Sequence, residues 1–407
     1  MRPPVKTEIQ KLVATAVAGV LENSDVEMPS LEIERTRDVA HGHFSSNVAM
    51  RLAKSLGRPP RDIAAEIIAE LPDSDLVAGT AVAGPGFINF TLTDTAFHAA
   101  LLAMLEQQDN YGNSTIGANR KLLLEYVSAN PTGPLHVGHG RHAAYGACLA
   151  NLLRATGHVV HQEYYVNDAG RQMDILALSV WLRLLEANGH SFSFPAAAYQ
   201  GAYIKDIAAE LKQQAELPTT IPPDLFANLP QGDDEKDALL DMLIDRAKAA
   251  LGDTGFDTVL QAGLNSILND IRDDLAEFRV NHDEWFSENS LTSNGAVQRA
   301  LDLLAKKGVT YEKNGAIWFR ATDYGDEKDR VVVRDNGRTT YFASDIAYHL
   351  HKRERGYDEL LNVWGADHHG YIPRVRAGLE AMGDSPECMH VELVQFVALY
   401  KGCLLYT

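Results

Sequence analysis

The chain has 407 residues, 45% of them hydrophobic, and carries 37 Lys and Arg against 55 Asp and Glu, a formal net charge of −18. That length can bury two or three domain cores; no apolar run approaches the roughly 20 residues of a membrane helix, and "MRPPVKTEIQKLV" lacks the apolar stretch of a secretory signal, so a cytoplasmic chain with no membrane partner is expected. The acidic total leaves nucleic acid only local basic patches to bind, and three scattered cysteines, Cys148, Cys388 and Cys403, argue against a disulfide framework or a thiolate zinc site.

Residues 1 to about 112 read as a small α+β unit. "VKTEIQKLVATAVAGVLEN" is apolar at helical spacing, "LEIERTRD" alternates like a half-buried strand, and "FSSNVAMRLAKSLGRPPRDIAAEIIAEL" predicts two helices broken by Pro59 and Pro60. "VAGPGFINFTL" reads as a closing strand, followed by a helix that runs into the linker-like "NYGNSTIGAN". From Lys121 the pattern becomes strand, helix, strand: "KLLLEYV", "GRHAAYGACLANLLRATG" ending at Gly157, and "VVHQEYYV". This βαβ unit predicts a doubly wound parallel sheet over residues 113–407, with ligands at the carboxyl ends of its strands. A proline-punctuated, acidic helical stretch at about 186–285 reads as an insertion, after which strand and helix alternation returns with "VTYEKNGAIWFRAT", "RVVVRDNGRTTYFASDIAYHLHKRERG" and "ELLNVWGAD".

The chemistry concentrates in "SANPTGPLHVGHGRHAAYG", a Pro/Gly-rich turn entering a helix. A helix N-terminus at a strand's carboxyl end offers unpaired N–H groups and a favourable dipole to an anion. Gly133, Gly138 and Gly140 permit close backbone approach, Pro131 and Pro134 hold the turn, and His136 and His139 can donate to one phosphate. Metal ligation is the poorer reading, since "HVGH" is not HExxH and no third ligand lies nearby.

"EYVSANPTGPLHVGHGR" resembles the HIGH signature of class I aminoacyl-tRNA synthetases, and "SANPTGPLHVGH" is similar to the bacterial arginyl-tRNA synthetase family in particular. "YYVNDAGRQM", "DEWFSE", "YFASDIAYHLHK", "NVWGADHHGYIPRV" and "LVQFVALY" resemble that family's catalytic core in order, and "GHFSSNVAMRLAK" with "GPGFINFTL" resemble its N-terminal appended domain, over about residues 3 to 401. The resemblance implies a Rossmann-type α/β catalytic domain that joins arginine to tRNA(Arg) through arginyl-adenylate, using ATP with Mg2+ and no protein-held metal, in a monomer. It implies His136 and His139 as catalytic residues; Pro131, Thr132, Gly133, Gly138, Asp367, His368 and Gly370 beside them for ATP; Glu125, Asn130, Tyr341 and Asp345 for arginine. Asp345 competes with Ser344 for a helix-cap reading, and His368 and His369 with that of a solvated pair. Arg51, Lys54, Arg58 and Arg61, spaced three and four apart, fit an exposed helix face or a tRNA phosphate contact.

The family pattern continues past "VQFVALY" into a second ATP-contacting loop and an anticodon-binding domain, whereas here "KGCLLYT" follows. No lysine stands between Glu125 and Arg141 to replace the one that loop supplies. The expectation is a truncated or frame-shifted, impaired ligase, with a dead ligand- or tRNA-binding fragment and another nucleotidyl transferase of the same fold as alternatives.

Overall fold

In a computed structural model the described residues are 5–406 except 231, 233, 234, 396, 398 and 402, and they fall into two compact units, residues 1–113 and 114–407. The first unit runs α1 (Val5–Leu21), β1 (Ile33–Arg35), β2 (Phe44–Ser46), α2 (Val48–Leu56), α3 (Pro60–Ala69), β3 (Val77–Ala83), β4 (Phe87–Leu92) and α4 (Asp94–Gln107). Its antiparallel sheet has the order β1-β2-β4-β3. Ile9, Val13 and Val17 recur at intervals of four on α1 and bury with Ile33, Leu52, Ile63, Ile67, Ile88 and Phe90. Two sequence expectations change here. "FSS" is strand β2 and not helix, because Phe44 and Ser46 face inward opposite β4. "VAGPGFINFTL" is the turn and second strand of a hairpin: β3 and β4 pair around Gly84-Pro85-Gly86, and at Gly86, with φ +140°, a Cβ would lie 2.7 Å from Pro60.

In the second unit β5 (Lys121–Glu125) is buried from Leu122 onward, as a strand covered on both faces must be. It is followed by α5 (Val137–Ala155), β6 (Val159–Val166), α6 (Arg171–Ala187), α7 (Ala202–Gln214), α8 (Lys236–Glu277), β7 (Glu284–Ser287), α9 (Glu288–Ser293), α10 (Ala296–Lys306), β8 (Thr310–Lys313), β9 (Ala316–Phe319), β10 (Arg330–Val333), α11 (Tyr341–Glu354), β11 (Glu359–Gly365), α12 (Ile372–Met382), β12 (Met389–Val394), β13 (Leu399–Lys401) and β14 (Cys403–Tyr406). The parallel sheet has the order β12-β11-β5-β6-β7. The chain first builds from β5 through β6 to β7, then returns to the other side of β5 for β11 and β12, so the order reverses between β5 and β11. In such sheets the ligand crevice lies at the strand carboxyl ends beside that reversal.

The helical stretch expected at 186–285 is α7 and α8, with α8 breaking at Gly252. Its far boundary is corrected, since Glu284 and Trp285 already pair with β6 as part of β7. Part of its acidic run, residues 231, 233 and 234, lies outside the described residues. α6 is buried on nearly every side from Met173 to Leu185, which is what a helix packed with both the sheet and α7 and α8 requires. The renewed alternation is also corrected: β10-β9-β8 is a separate antiparallel sheet. The turn between β8 and β9 is Asn314-Gly315, both with positive φ, the chemistry a tight hairpin demands.

Candidate functional site

The chain leaves β5 abruptly. Val127 and Ser128 take φ of +66° and +42°, a conformation that costs a β-branched residue about 1–3 kcal/mol and is held here by its surroundings. Ser128 Oγ donates to Glu125 and accepts from the Tyr165 amide on β6, so the kink is pinned to the neighbouring strand. The chain then enters α5 through a reciprocal cap. His136 is the N-cap, its Nδ1 accepting from the Gly138 amide at 3.1 Å, and His139 Nδ1 accepts from the His136 amide at 3.2 Å. The rings stack with centroids 3.8 Å apart.

This cap decides a tautomer. A nitrogen that accepts a backbone N–H carries no proton, so each neutral imidazole bears its hydrogen on Nε2, leaving a donor free. Burial first, then the like charges of His136 and His142, lowers the His139 pKa to about 4, so its ring is neutral near pH 7. α5 seats closely on β5: a Cβ at Gly146 would lie 2.2 Å from the buried Tyr126 ring. Of the turn residues, Pro131 is buried, Thr132 O accepts from Tyr203 of α7 at 2.6 Å, and a Cβ on Gly133 would come within 3.1 Å of that phenol oxygen. The tightness at Gly133 therefore has a packing partner in the insertion, whereas nothing lies within 4 Å of a Cβ at Gly140. Asn130, exposed, accepts from Asn167 and joins the loops that follow β5 and β6.

Acidic groups gather at the same sheet edge. Glu125, ending β5, is 7% exposed; Oε2 accepts from the fully buried Lys352 at 2.5 Å and Oε1 from Ser128 at 3.3 Å. Asp345 lies in the second turn of α11 and is half-buried, while Thr340 occupies the N-cap position, so the helix-cap reading of Asp345 is set aside. Desolvation, then the charges of Glu288 and Glu125, pushes the Asp345 pKa up to about 7 against the opposing pull of Lys352 and Arg374. Glu288, just past β7, is buried and raised to about 7 by desolvation and by Asp168, although it accepts from Tyr165. Two carboxyls with pKa values raised to about 7 thus stand beside a third that is already paired with Lys352. Tyr341 opens α11 with its side chain largely in solvent and its hydroxyl toward Gly170 in the loop after β6. Sequence reasoning missed Glu288 as a site residue, although "DEWFSE" put it at a strand's carboxyl end; it also missed Lys352 and Ser128, which no spacing marked.

Across the reversal, β11 gives way to a 3-10 turn, Ala366–Tyr371, that carries Asp367, His368 and Gly370. Asp367 and His368 are exposed and 3.6 Å apart, and His368 lies near the rings of Trp364 and Tyr371, so its environment is aromatic and not simply solvent. Asp367 also acts on His142 of α5, which brings the two loop regions flanking the reversal together. His161, Glu163 and Glu284 have ligand atoms within 4.8 Å of one another, yet Arg355 donates to both carboxylates, supplying the positive charge there.

In the first unit the basic residues divide. Arg51 and Lys54 lie on α2, which ends at Gly57, whereas Arg58 is in the connector and Arg61 in the first turn of α3. The break expected at Pro59 and Pro60 separates Arg51 and Lys54 from Arg61, and the left-handed Gly57 already ends α2 before Arg58. Arg51 pairs with Glu32, Arg58 with Glu66, and Arg61 donates to Gly84 O. A cleft of about 400 Å³ elsewhere in this unit is lined by Arg35, Arg37, His41, Phe87 and Asn89, a set no spacing had singled out.

A sheet-order reversal flanked by a capped HVGH helix and a carboxylate cluster defines a nucleotide-binding α/β catalytic domain, and residues 100–402 match the family described as tRNA synthetases class I (R), catalytic domain. Residues 7–92 match the arginyl tRNA synthetase N terminal domain. An arginine–tRNA ligase of Thioalkalivibrio sulfidiphilus is 53% identical over 98% of this chain and 69% of its own length, and one of Halorhodospira halophila 50% over 98% and 69%. The arginyl-tRNA synthetase structure of Thermus thermophilus shares the fold, with a TM-score of 0.66 at 22% identity over 96% of this chain and 65% of that one. This chain belongs to the arginyl-tRNA synthetase family, the ATP-dependent arginine–tRNA ligases, and spans about two thirds of the length of these relatives. The reading of it as another nucleotidyl transferase of the same fold is thereby set aside. Among the described residues no helix is long and apolar enough to cross a membrane.

Proposed function

We propose that the crevice joins arginine to ATP, forming arginyl-adenylate and releasing pyrophosphate, before the arginyl group passes to the terminal ribose of tRNA(Arg). The observation that carries this reading is an anion site and a cation site on one sheet edge. His136 and His139 offer Nε2–H donors at the α5 N-terminus, where charge accumulates on the α-phosphate as the arginine carboxylate attacks it. Gly138 and Gly140 leave the backbone open to the phosphates; Pro131, Thr132 and Gly133 shape the turn, and Asp367, His368 and Gly370 close on the nucleotide from β11. Mg2+ would arrive with ATP, and none of the proposed roles uses a protein-held metal.

Asp345 and Glu288 take the guanidinium, whose planar fork can pair with two carboxylates at once, and Glu125, Asn130 and Tyr341 orient the rest of the amino acid. The first unit would contact tRNA phosphates through Arg51, Lys54, Arg58 and Arg61, three of which already have internal partners. The Arg35, Arg37, His41 and Phe87 cleft suits a stacked base with its phosphate better. The chain is expected to act as a cytoplasmic monomer. Thermal unfolding with ATP present tests the central claim: arginine should stabilise the chain and lysine should not, because a ligand that binds only the folded form at about a hundred times its Kd adds about 2.7 kcal/mol. Equal shifts by the two amino acids would overturn the specificity reading.

A further inference from the structure

Among the described residues Lys352 is the one lysine in the group of large side chains buried to under 2% exposure, and it lies in the last turn of α11. Its ammonium donates to Glu125 Oε2 at 2.5 Å and to Asn362 Oδ1 of β11 at 2.9 Å, and stands 4.1 Å from the Tyr348 ring centroid. β11 and β5 are the two strands that flank the sheet-order reversal, and Asn362 and Glu125 are partners in their register. One ammonium therefore ties both strands to the helix that carries Tyr341 and Asp345. A buried ammonium without partners is expensive, and hydrophobic side chains would fill this space at lower cost if packing were the only requirement.

We propose that Lys352 is a positioning residue for arginine recognition: it clamps Glu125 against the β5–β11 junction and supplies the fixed counter-charge that lets three carboxyl groups share one pocket. Lys352 touches no substrate. It acts through Glu125, whose other oxygen is held by Ser128, and through its field on Asp345, whose pKa it lowers. The titratable and charged groups around this pair include Tyr165 and Glu163 on β6, Glu288 on α9, Asp345, Tyr348 and His349 on α11, Arg355 just past it, which pairs with Glu163, and Arg374 on α12. His349 is held neutral near pH 7 by burial and by Lys352, its pKa falling to about 3, so it adds no positive charge beside Lys352 and Arg374.

This inference rests on the arginine reading of the crevice, and the experiment separates the two. Arginine and ATP binding are measured by calorimetry across pH 6 to 9 on the unaltered chain, Lys352→Met, Lys352→Arg, Glu125→Gln and the double variant Lys352→Met/Glu125→Gln. Lys352→Met should weaken arginine binding by about tenfold or more and move its pH dependence upward, because Asp345 then ionises later, while ATP binding holds. Lys352→Arg should recover part of the loss, and the double variant should bind arginine no worse than Glu125→Gln alone. Should Lys352→Met fail to fold, Lys352→Arg and the double variant, which removes both charges together, carry the same test. Unchanged arginine affinity and pH profile in folded Lys352→Met, or strict additivity in the double variant, would overturn the proposal. Absence of arginine binding by the unaltered chain would instead overturn the arginine reading itself.

Discussion

The two sides of the crevice are built on different principles. On the α5 side, two histidines three residues apart cap one helix through their Nδ1 atoms, and the contacts of this cap are local in sequence. On the α11 side, Glu125, Glu288, Asp345 and Lys352 come from a strand and two helices separated by up to 227 residues, and burial and neighbouring charges raise the pKa values of Glu288 and Asp345. The His139 ring stays neutral near pH 7, whereas Asp345 and Glu288 titrate there because burial and like charges crowd the α11 side. Under the proposed function, a bound guanidinium would relieve that crowding.

The sharpest way to break this contrast is to remove the donor without removing the cap. His139→Asn keeps an acceptor for the His136 amide and deletes Nε2–H, so unfolding temperature should hold while adenylate formation, measured in the presence of tRNA, falls about 10²-fold or more. Loss of stability with rate unchanged would make the ring a cap alone. Next in size, Asp345→Asn or Glu288→Gln should cost arginine binding about 1.5–3 kcal/mol, read by calorimetry, with ATP binding little altered. Gly146→Ala should destabilise the second unit by about 1–3 kcal/mol in denaturant unfolding, because the new methyl meets the core of the Tyr126 ring.

The pH comparison is subtler. Asp345 and Glu288 have folded pKa values near 7, above those of the unfolded chain, so the folded state retains protons that the unfolded state releases. Their contribution to stability is fully present below about pH 4 and is lost as pH rises through about 7. Arginine reverses the trend by favouring the ionised pair: its affinity should rise roughly tenfold or more between pH 6 and 8, with proton release on binding. A flat profile would mean that the carboxylates are already ionised. Smallest of all, Arg35→Ala or Arg37→Ala should each reduce the salt dependence of tRNA binding by about one phosphate's worth. An unchanged slope would remove the cleft from the tRNA surface.

Legibility followed sequence distance. "KLLLEYV" and the stretch after the HVGH turn are legible as strand and α5 because each signal lies within a few residues. The Asn314-Gly315 turn is equally local, yet the apolar runs beside it fit an alternating strand and helix pattern as well as a hairpin. The prolines mark the division of the four basic residues between α2 and α3, but spacing could not show their partners: Glu32 for Arg51, Glu66 for Arg58 and Gly84 O for Arg61. The order of the motifs marks Asp345 and Glu125 as candidates but says nothing of their partners Lys352 and Glu288.

The sequence by itself determined the βαβ unit and the family, through local apolar runs and the order of its motifs, and it nominated His136, His139, Glu125 and Asp345 as candidates. Only the tertiary structure decided how those carboxylates are held. The register of β5 with β11 and the burial of α11 bring Lys352 to Glu125, and Glu288 into the field of Asp345. Desolvation and electrostatic coupling act through space, so no local pattern in the chain can encode which charges meet.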